Sequence, residues 1–215
     1  MTTRTIPTAL IVDWGGVLTN DLQSVMSTWS LGEGFSPADF AAVMTEWLGA
    51  GATVNPIHTL ERGESAVPDF ESELAAALSN RIGRPVPSDG LVARLFSHFE
   101  HAHDMTALVR RARDRGIRTA LLSNSWGNTY PDHIFDGMFD TVVISGEVGM
   151  RKPDADIFRY TSAELDVPAR ESAFVDDLMV NVTAAKRLGY LGVHHRDYRT
   201  TADQLSALFG IDLRE

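Results

Sequence analysis

The chain has no cysteine. That absence excludes disulfides, zinc–thiolate sites and thiol nucleophiles together. Lysine is scarce as well, present only at positions 152 and 186. Basic residues as a whole are outnumbered, 19 Lys and Arg against 29 Asp and Glu, for a formal net charge of −10. Such a balance argues against a partner that needs basic surface, whether nucleic acid or an acidic membrane. A small anionic substrate stays open to it, provided a metal ion or a local lysine supplies positive charge. Long apolar runs are missing too. None approaches the ~18 residues of a membrane span, and the run that follows Met-Thr-Thr-Arg-Thr-Ile-Pro and ends at Asp13 is too short for a signal-peptide core. The expectation is a soluble cytoplasmic protein with a small-molecule substrate. Oligomeric state leaves no mark that the sequence alone reveals.

What is present fits an ordinary globular protein. The 215 residues are 44% hydrophobic and 22% charged, enough for one mid-sized domain or a core with a small appended one. Five short apolar runs stand out: Ala9–Val12 before Asp13, Thr119–Leu122 before Ser123, Thr141–Ile144 before Ser145, Ala173–Val175 before Asp176, and Leu191–Val193 before His194. They are β-rich without alternation, which suits strands buried on both faces of a parallel sheet. Helix-period segments lie between them, at 105–115, 155–164, 180–188 and 201–208, with Gly116 and Gly189 where helix stops are expected. This order reads as a doubly wound α/β sheet, whose ligand site lies at the carboxyl ends of the strands.

Between the first and second runs the pattern changes. Residues 20–103 carry little strand signal. Ser36-Pro37-Ala38-Asp39 reads as a helix start, and 69–80 has helical spacing. The expected organisation is an α/β core of residues 1–19 and 104–215, with a helical subdomain of residues 20–103 inserted after the first strand.

Four short motifs then fall at the strand ends. Asp13-Trp14-Gly15-Gly16-Val17-Leu18-Thr19 follows the first run, and Ser123-Asn124 closes the second. Lys152-Pro153 lies in a loop, and Asp176-Asp177 closes the fourth run ahead of Asn181, Ala184-Ala185 and Gly189. In this order they resemble the four motifs of the haloacid dehalogenase superfamily, whose core is Rossmann-like. The insertion resembles the C1-type cap of that superfamily. The cap segment from His58 to Glu64, with Phe70, resembles a branch of sugar-phosphate phosphatases.

The resemblance implies a magnesium-dependent phosphatase acting on a small phosphorylated metabolite, with a sugar phosphate as one form of it. Asp13 would be the nucleophile that forms an aspartyl-phosphate. Magnesium would sit between Asp13, the backbone carbonyl of Gly15 and Asp177, with Asp176 direct or through water. Lys152 would offset the repulsion between Asp13 and phosphate, while Ser123 and Asn124 would hold phosphoryl oxygens. Elementary electrostatics agrees, because a carboxylate attacks phosphorus only when the phosphate charge is first neutralised. Oxygen ligands are also those magnesium prefers.

Gly15 departs from the usual pattern, in which a second aspartate two residues after the nucleophile acts as general acid and base. Such help is worth roughly 10²- to 10⁴-fold. Two ways around its absence are a substrate with an intrinsically good leaving group, or a proton from a cap residue such as His58 or Glu61. Trp14 and Trp126 flank the expected site and are candidates to line the pocket, as Arg62, Arg81 and Arg84 are to meet an anionic substrate. The histidines 98, 101 and 103 read as a linker rather than a metal site, and His194-His195 as structural or surface groups.

Three rivals frame the reading. A 2-haloacid dehalogenase attacks carbon with the same aspartate and needs no metal, which the Asp176-Asp177 pair argues against. A phosphonoacetaldehyde hydrolase needs a cap lysine, and residues 20–103 contain none. A binding protein would keep the site and lose turnover with Gly15.

Overall fold

The computed structural model describes residues 6–48, 55–127, 130 and 135–214. The first five residues of the expected core lie outside the described residues. Five parallel strands form one sheet: β1 (Ala9–Val12), β2 (Arg118–Ser123), β3 (Thr141–Ile144), β4 (Ser172–Asp176) and β5 (Leu191–His194), in the order β3-β2-β1-β4-β5. All five runs read from the sequence are strands, shifted by no more than a residue at either end. The chain builds outward from β1 through β2 to β3, then returns to place β4 on the other side of β1. That reversal opens a crevice at the carboxyl ends of β1 and β4, where doubly wound sheets bind ligands.

Helices cover both faces of the sheet, which is why β1 is buried at every residue and does not alternate. Successive side chains point to opposite faces. Leu10 and Val12 therefore pack with Leu121 and Val175 against Leu108 of α6 (His103–Asp114) and Leu205 of α10 (Tyr198–Phe209). Ile11, Leu122 and Phe174 face the other way, toward Phe158 of α8 (Ala155–Leu165) and Ala185 of α9 (Met179–Arg187). A short helix, α7 (Ser145–Val148), follows β3.

The stretch between β1 and α6 is helical: α1 (Leu22–Gly32), α2 (Pro37–Leu48), α3 (Pro56–Glu61), α4 (Val67–Ile82) and α5 (Leu91–Phe96). The helix start at Ser36 is a capping arrangement. Its hydroxyl accepts from the Asp39 amide at 3.1 Å while the Asp39 carboxylate accepts from the Ser36 amide at 3.2 Å. These helices bury their own cluster, in which Trp29, Phe70, Leu74, Leu78 and Leu91 are nearly inaccessible to solvent. The two chain segments that join it to the sheet run side by side. Asn20 N–H donates to the Glu100 carbonyl at 2.9 Å and Ala102 N–H to the Leu18 carbonyl at 3.0 Å, around a bridge between Thr19 and His101. The histidine-bearing stretch 98–103 is thus one side of a paired connection between insertion and sheet. Among the described residues, no helix is long and apolar enough to cross a membrane.

Candidate active site

Ending a parallel strand with a polar side chain places that group at the mouth of the crevice. Asp13 follows β1, Ser123 ends β2 and Asp176 ends β4. Among the described residues, one set of acidic or histidine side chains is grouped closely enough to hold a metal ion: Asp13, Asp176 and Asp177, with ligand atoms within 4.8 Å of one another. The site is built around Lys152, a fully buried lysine. Its ammonium has three hydrogens, and three acceptors surround it: Asp13 Oδ1 at 2.9 Å, Asp176 Oδ2 at 2.7 Å and the Leu122 carbonyl at 2.9 Å.

Asp176 is the most committed of the carboxylates. Besides Lys152 it accepts from the Leu178 amide at 2.9 Å and from Asn181 Nδ2 at 3.0 and 3.1 Å. Asp13 uses Oδ1 for both Lys152 and the Trp14 amide at 2.7 Å, so Oδ2 keeps no hydrogen-bond partner among the described residues. Asp177 is fixed through its backbone, whose carbonyl lies 2.8 Å from His194 Nε2. His194 and His195 are structural groups, the latter 2.8 Å from the Thr201 hydroxyl.

Charge is unbalanced here, with three carboxylates facing one ammonium. Burial pushes Asp13 up to about 8, with Asp176 and Asp177 adding to the rise and Lys152 opposing it. Burial and then Asp176 push Asp177 up to about 6. Burial works against the charge on Lys152, yet Asp13 and Asp176 outweigh it and hold the ammonium above its ordinary value. An all-oxygen pocket with a surplus of negative charge fits a hard divalent cation such as magnesium. The backbone is shaped for the close approach. Gly16 has φ +70°, and a Cβ there would collide with Asp177 Oδ2. Gly15 differs: nothing lies within 4 Å of where its Cβ would be, so sterics do not exclude a side chain.

These groups open into a cavity of about 220 Å³ between the sheet edge and the helical insertion. Asp13, Trp14, Gly15, Ser123, Asn124 and Lys152 line it, together with Asp177, Trp126 and Glu61. Asn124 is held by Lys152 on both sides, donating to its carbonyl at 3.0 Å and accepting from its amide at 2.8 Å. Of the residues named for the site from the sequence, two are absent from this lining, and one of them, Asp176, joins the site through Lys152. The other is His58. Glu61 lines the cavity but is already engaged, its two oxygens taken by the Arg151 guanidinium and by Trp126 Nε1 at 3.4 Å. Of these two alternative proton sources, one lies outside the lining and the other is hydrogen-bonded on both oxygens in this arrangement. The cap arginines are also spoken for: Arg62 pairs with Glu64, Arg81 with Asp39, and Arg84 donates to the Gly34 carbonyl.

The structure adds residues that the sequence did not single out. Tyr130 lies 2.9 Å from the Ser123 hydroxyl and lines the cavity; burial pushes its phenol up to about 12. Phe96 and Phe99, at the end of the insertion, meet Trp14 with ring centroids 5.8 and 4.8 Å away. Arg151 sits next to Lys152, yet its partner Glu61 is 90 residues distant in sequence. No local pattern marks such a pairing.

Comparison with known proteins agrees with this geometry. The chain is 32% identical over 110 residues to sesquiterpene phosphatase astK of Aspergillus oryzae, covering 49% of this chain and 56% of that one. It is 27% identical over 229 residues to a phosphoglycolate phosphatase of Pseudomonas fluorescens, covering 97% and 78% respectively. The chain spans 56% or less of the length of the first curated relatives it matches. Its fold is that of the enzyme bt-2542 of Bacteroides thetaiotaomicron, solved with magnesium and inorganic phosphate, at a TM-score of 0.60 and 20% identity over 88% of this chain and 94% of that one. The profile of the haloacid dehalogenase-like hydrolases matches residues 7–189, from before β1 to beyond the Asp176-Asp177 motif, and the chain belongs to that family.

Proposed function

We propose that the protein is a magnesium-dependent phosphomonoester phosphatase that works through an aspartyl-phosphate on Asp13. One observation carries the reading: a buried lysine ties the carboxylate after β1 to the carboxylate ending β4, and leaves Oδ2 of the cavity-lining Asp13 without a hydrogen-bond partner among the described residues. Asp13, Asp177 and the Gly15 carbonyl would hold the magnesium. Asp176 is so fully hydrogen-bonded that its contact would run through water. When bound, the ion supplies positive charge against the phosphoryl oxygens.

The chain's own groups account for the rest. Lys152 orients Asp13 and works against the burial that raises its pKa, and Ser123 with the amides near Asn124 receives phosphoryl oxygens. Asp13 Oδ2 attacks phosphorus, the bond from phosphorus to the substrate oxygen breaks, and that oxygen leaves with a proton from water. A water molecule then cleaves the bond between phosphorus and Asp13, releasing phosphate. Gly15 contributes no acid, so turnover favours substrates whose leaving oxygen needs little protonation. Residues 20–103 act as a C1-type cap over the site, hinged at the paired segments near Asn20 and Ala102. The relatives named as phosphatases support this reading.

Dehalogenation remains the second candidate because it uses the same aspartate on the same fold. The cavity speaks against it, since a haloacid carboxylate would meet Asp13, Asp177 and Glu61 with no free cation among the described lining residues. The test is phosphate release from a panel of monoesters and acyl phosphates with magnesium, with EDTA, and with Asp13→Asn. Release that disappears in both controls supports the proposal. Release that survives EDTA or the substitution contradicts it.

A further inference from the structure

We infer that this site takes phosphate monoesters whose organic group is uncharged and apolar, an inference that rests on the phosphatase reading above. The cavity lining has two characters. Asp13, Asp177 and Lys152 are its charged part, and Leu22, Met26, Leu95, Phe96, Phe99 and Trp126 its apolar and aromatic part. Leu22 and Met26 are four residues apart on α1 and so share a face. The lining continues to the surface at Leu178, which is 45% exposed and is followed by Met179 at 47% and Val180 at 59%.

Most polar side chains around the cavity are already spent on one another. Asn124 is paired with Lys152, Asn181 with Asp176, Trp126 with Glu61, and Ser123 with Tyr130. Among the described lining residues, Trp14 Nε1 is a buried donor without a partner. Several sugar hydroxyls entering this space would lose more water contacts than the few free groups replace, which disfavours them. A second charge on the substrate fares worse. Among the described lining residues there is no arginine or histidine, and all three hydrogens of Lys152 are engaged. On this inference an apolar ester fits the site better than the sugar phosphate that the resemblance implied. Ring packing between insertion and core explains the contacts of Trp14 with Phe96 and Phe99, but not the further apolar lining residues Leu22, Met26 and Leu178.

The experiment separates binding of the organic group from the leaving-group problem. Acetyl phosphate, small and activated, reports turnover by the intact protein with magnesium. Straight-chain alkylphosphonates of increasing length, whose carbon–phosphorus bond resists the reaction, serve as competitive inhibitors. Glyceryl and carboxymethyl phosphonates are the polar and charged controls. The expected result is an inhibition constant that falls about fourfold per added methylene over the first few carbons, with both controls weaker than the butyl compound. Met26→Gln should flatten that slope. Turnover of acetyl phosphate with no chain-length dependence, or with the polar controls tighter, overturns the substrate class and leaves the phosphatase reading standing. No phosphate release from any compound overturns both.

Discussion

The strand-edge wall of the cavity and the cap wall hold together by different physics. At the strand edge, Lys152, Asp13, Asp176 and Asn181 are locked by charge-assisted hydrogen bonds of 2.7 to 3.1 Å. On the side of the helical insertion, Phe96 and Phe99 meet Trp14 of the core by apolar packing, with the Glu61–Arg151 pair as a polar tether. Directional bonds fix atoms to within tenths of an ångström, as attack on phosphorus requires. Packing is non-directional and tolerates motion and substitution. On the proposed function, reaction belongs to one wall and substrate choice to the other, and substitutions can break the two apart.

The largest effect is expected at the polar wall. Asp13→Asn removes the attacking oxygen and should lower turnover of acetyl phosphate by about 10⁴-fold or more, measured as phosphate release, while the protein still folds by circular dichroism. Lys152→Met should cost roughly 10³-fold in the same assay. It also strands buried carboxylates, so denaturant unfolding should show a loss of about 3–5 kcal/mol.

Gly15→Asp sharpens the comparison by a gain. Open space surrounds that position, so the new carboxyl can enter the cavity as a general acid. Alkyl phosphate turnover should rise roughly 10²-fold, with little change for acetyl phosphate, whose leaving group needs no proton. Equal effects on both substrates would contradict the proposed role of Gly15. Gly16→Ala should weaken magnesium activation by about tenfold or more, because its Cβ would displace Asp177. The magnesium concentration giving half-maximal activity reads this out.

The smallest effect belongs to the cap tether. Glu61→Gln keeps the shape but removes the charge that faces Arg151. A stability loss of about 1–2 kcal/mol is expected, with kcat for acetyl phosphate changed by only a few fold.

Legibility follows the same division. Strand ends and the motifs on them lie within a few consecutive residues, so Asp13, Ser123 and Asp176-Asp177 were readable from buried apolar runs and from the order of the motifs. The parallel sheet was readable for the same reason, since runs without alternation need cover on both faces. Phe96, Phe99, Tyr130 and Arg151 were not readable. Each owes its place to a partner distant in sequence, and an aromatic at the end of α5 looks like any core residue until the paired connection brings it against Trp14. The surroundings of His58 and Glu61 were hidden for a related reason. Their neighbourhood in the sequence is polar, but one stays outside the cavity lining and the other is held by Arg151.

The covalent intermediate tests the central claim most directly. Borohydride reduces an acyl phosphate to an alcohol, so adding it during turnover of acetyl phosphate with magnesium should convert Asp13 to homoserine, as read by peptide mass mapping. Magnesium removal should abolish the conversion. Sustained phosphate release with an unmodified Asp13, or reduction at a different carboxylate, would contradict the account.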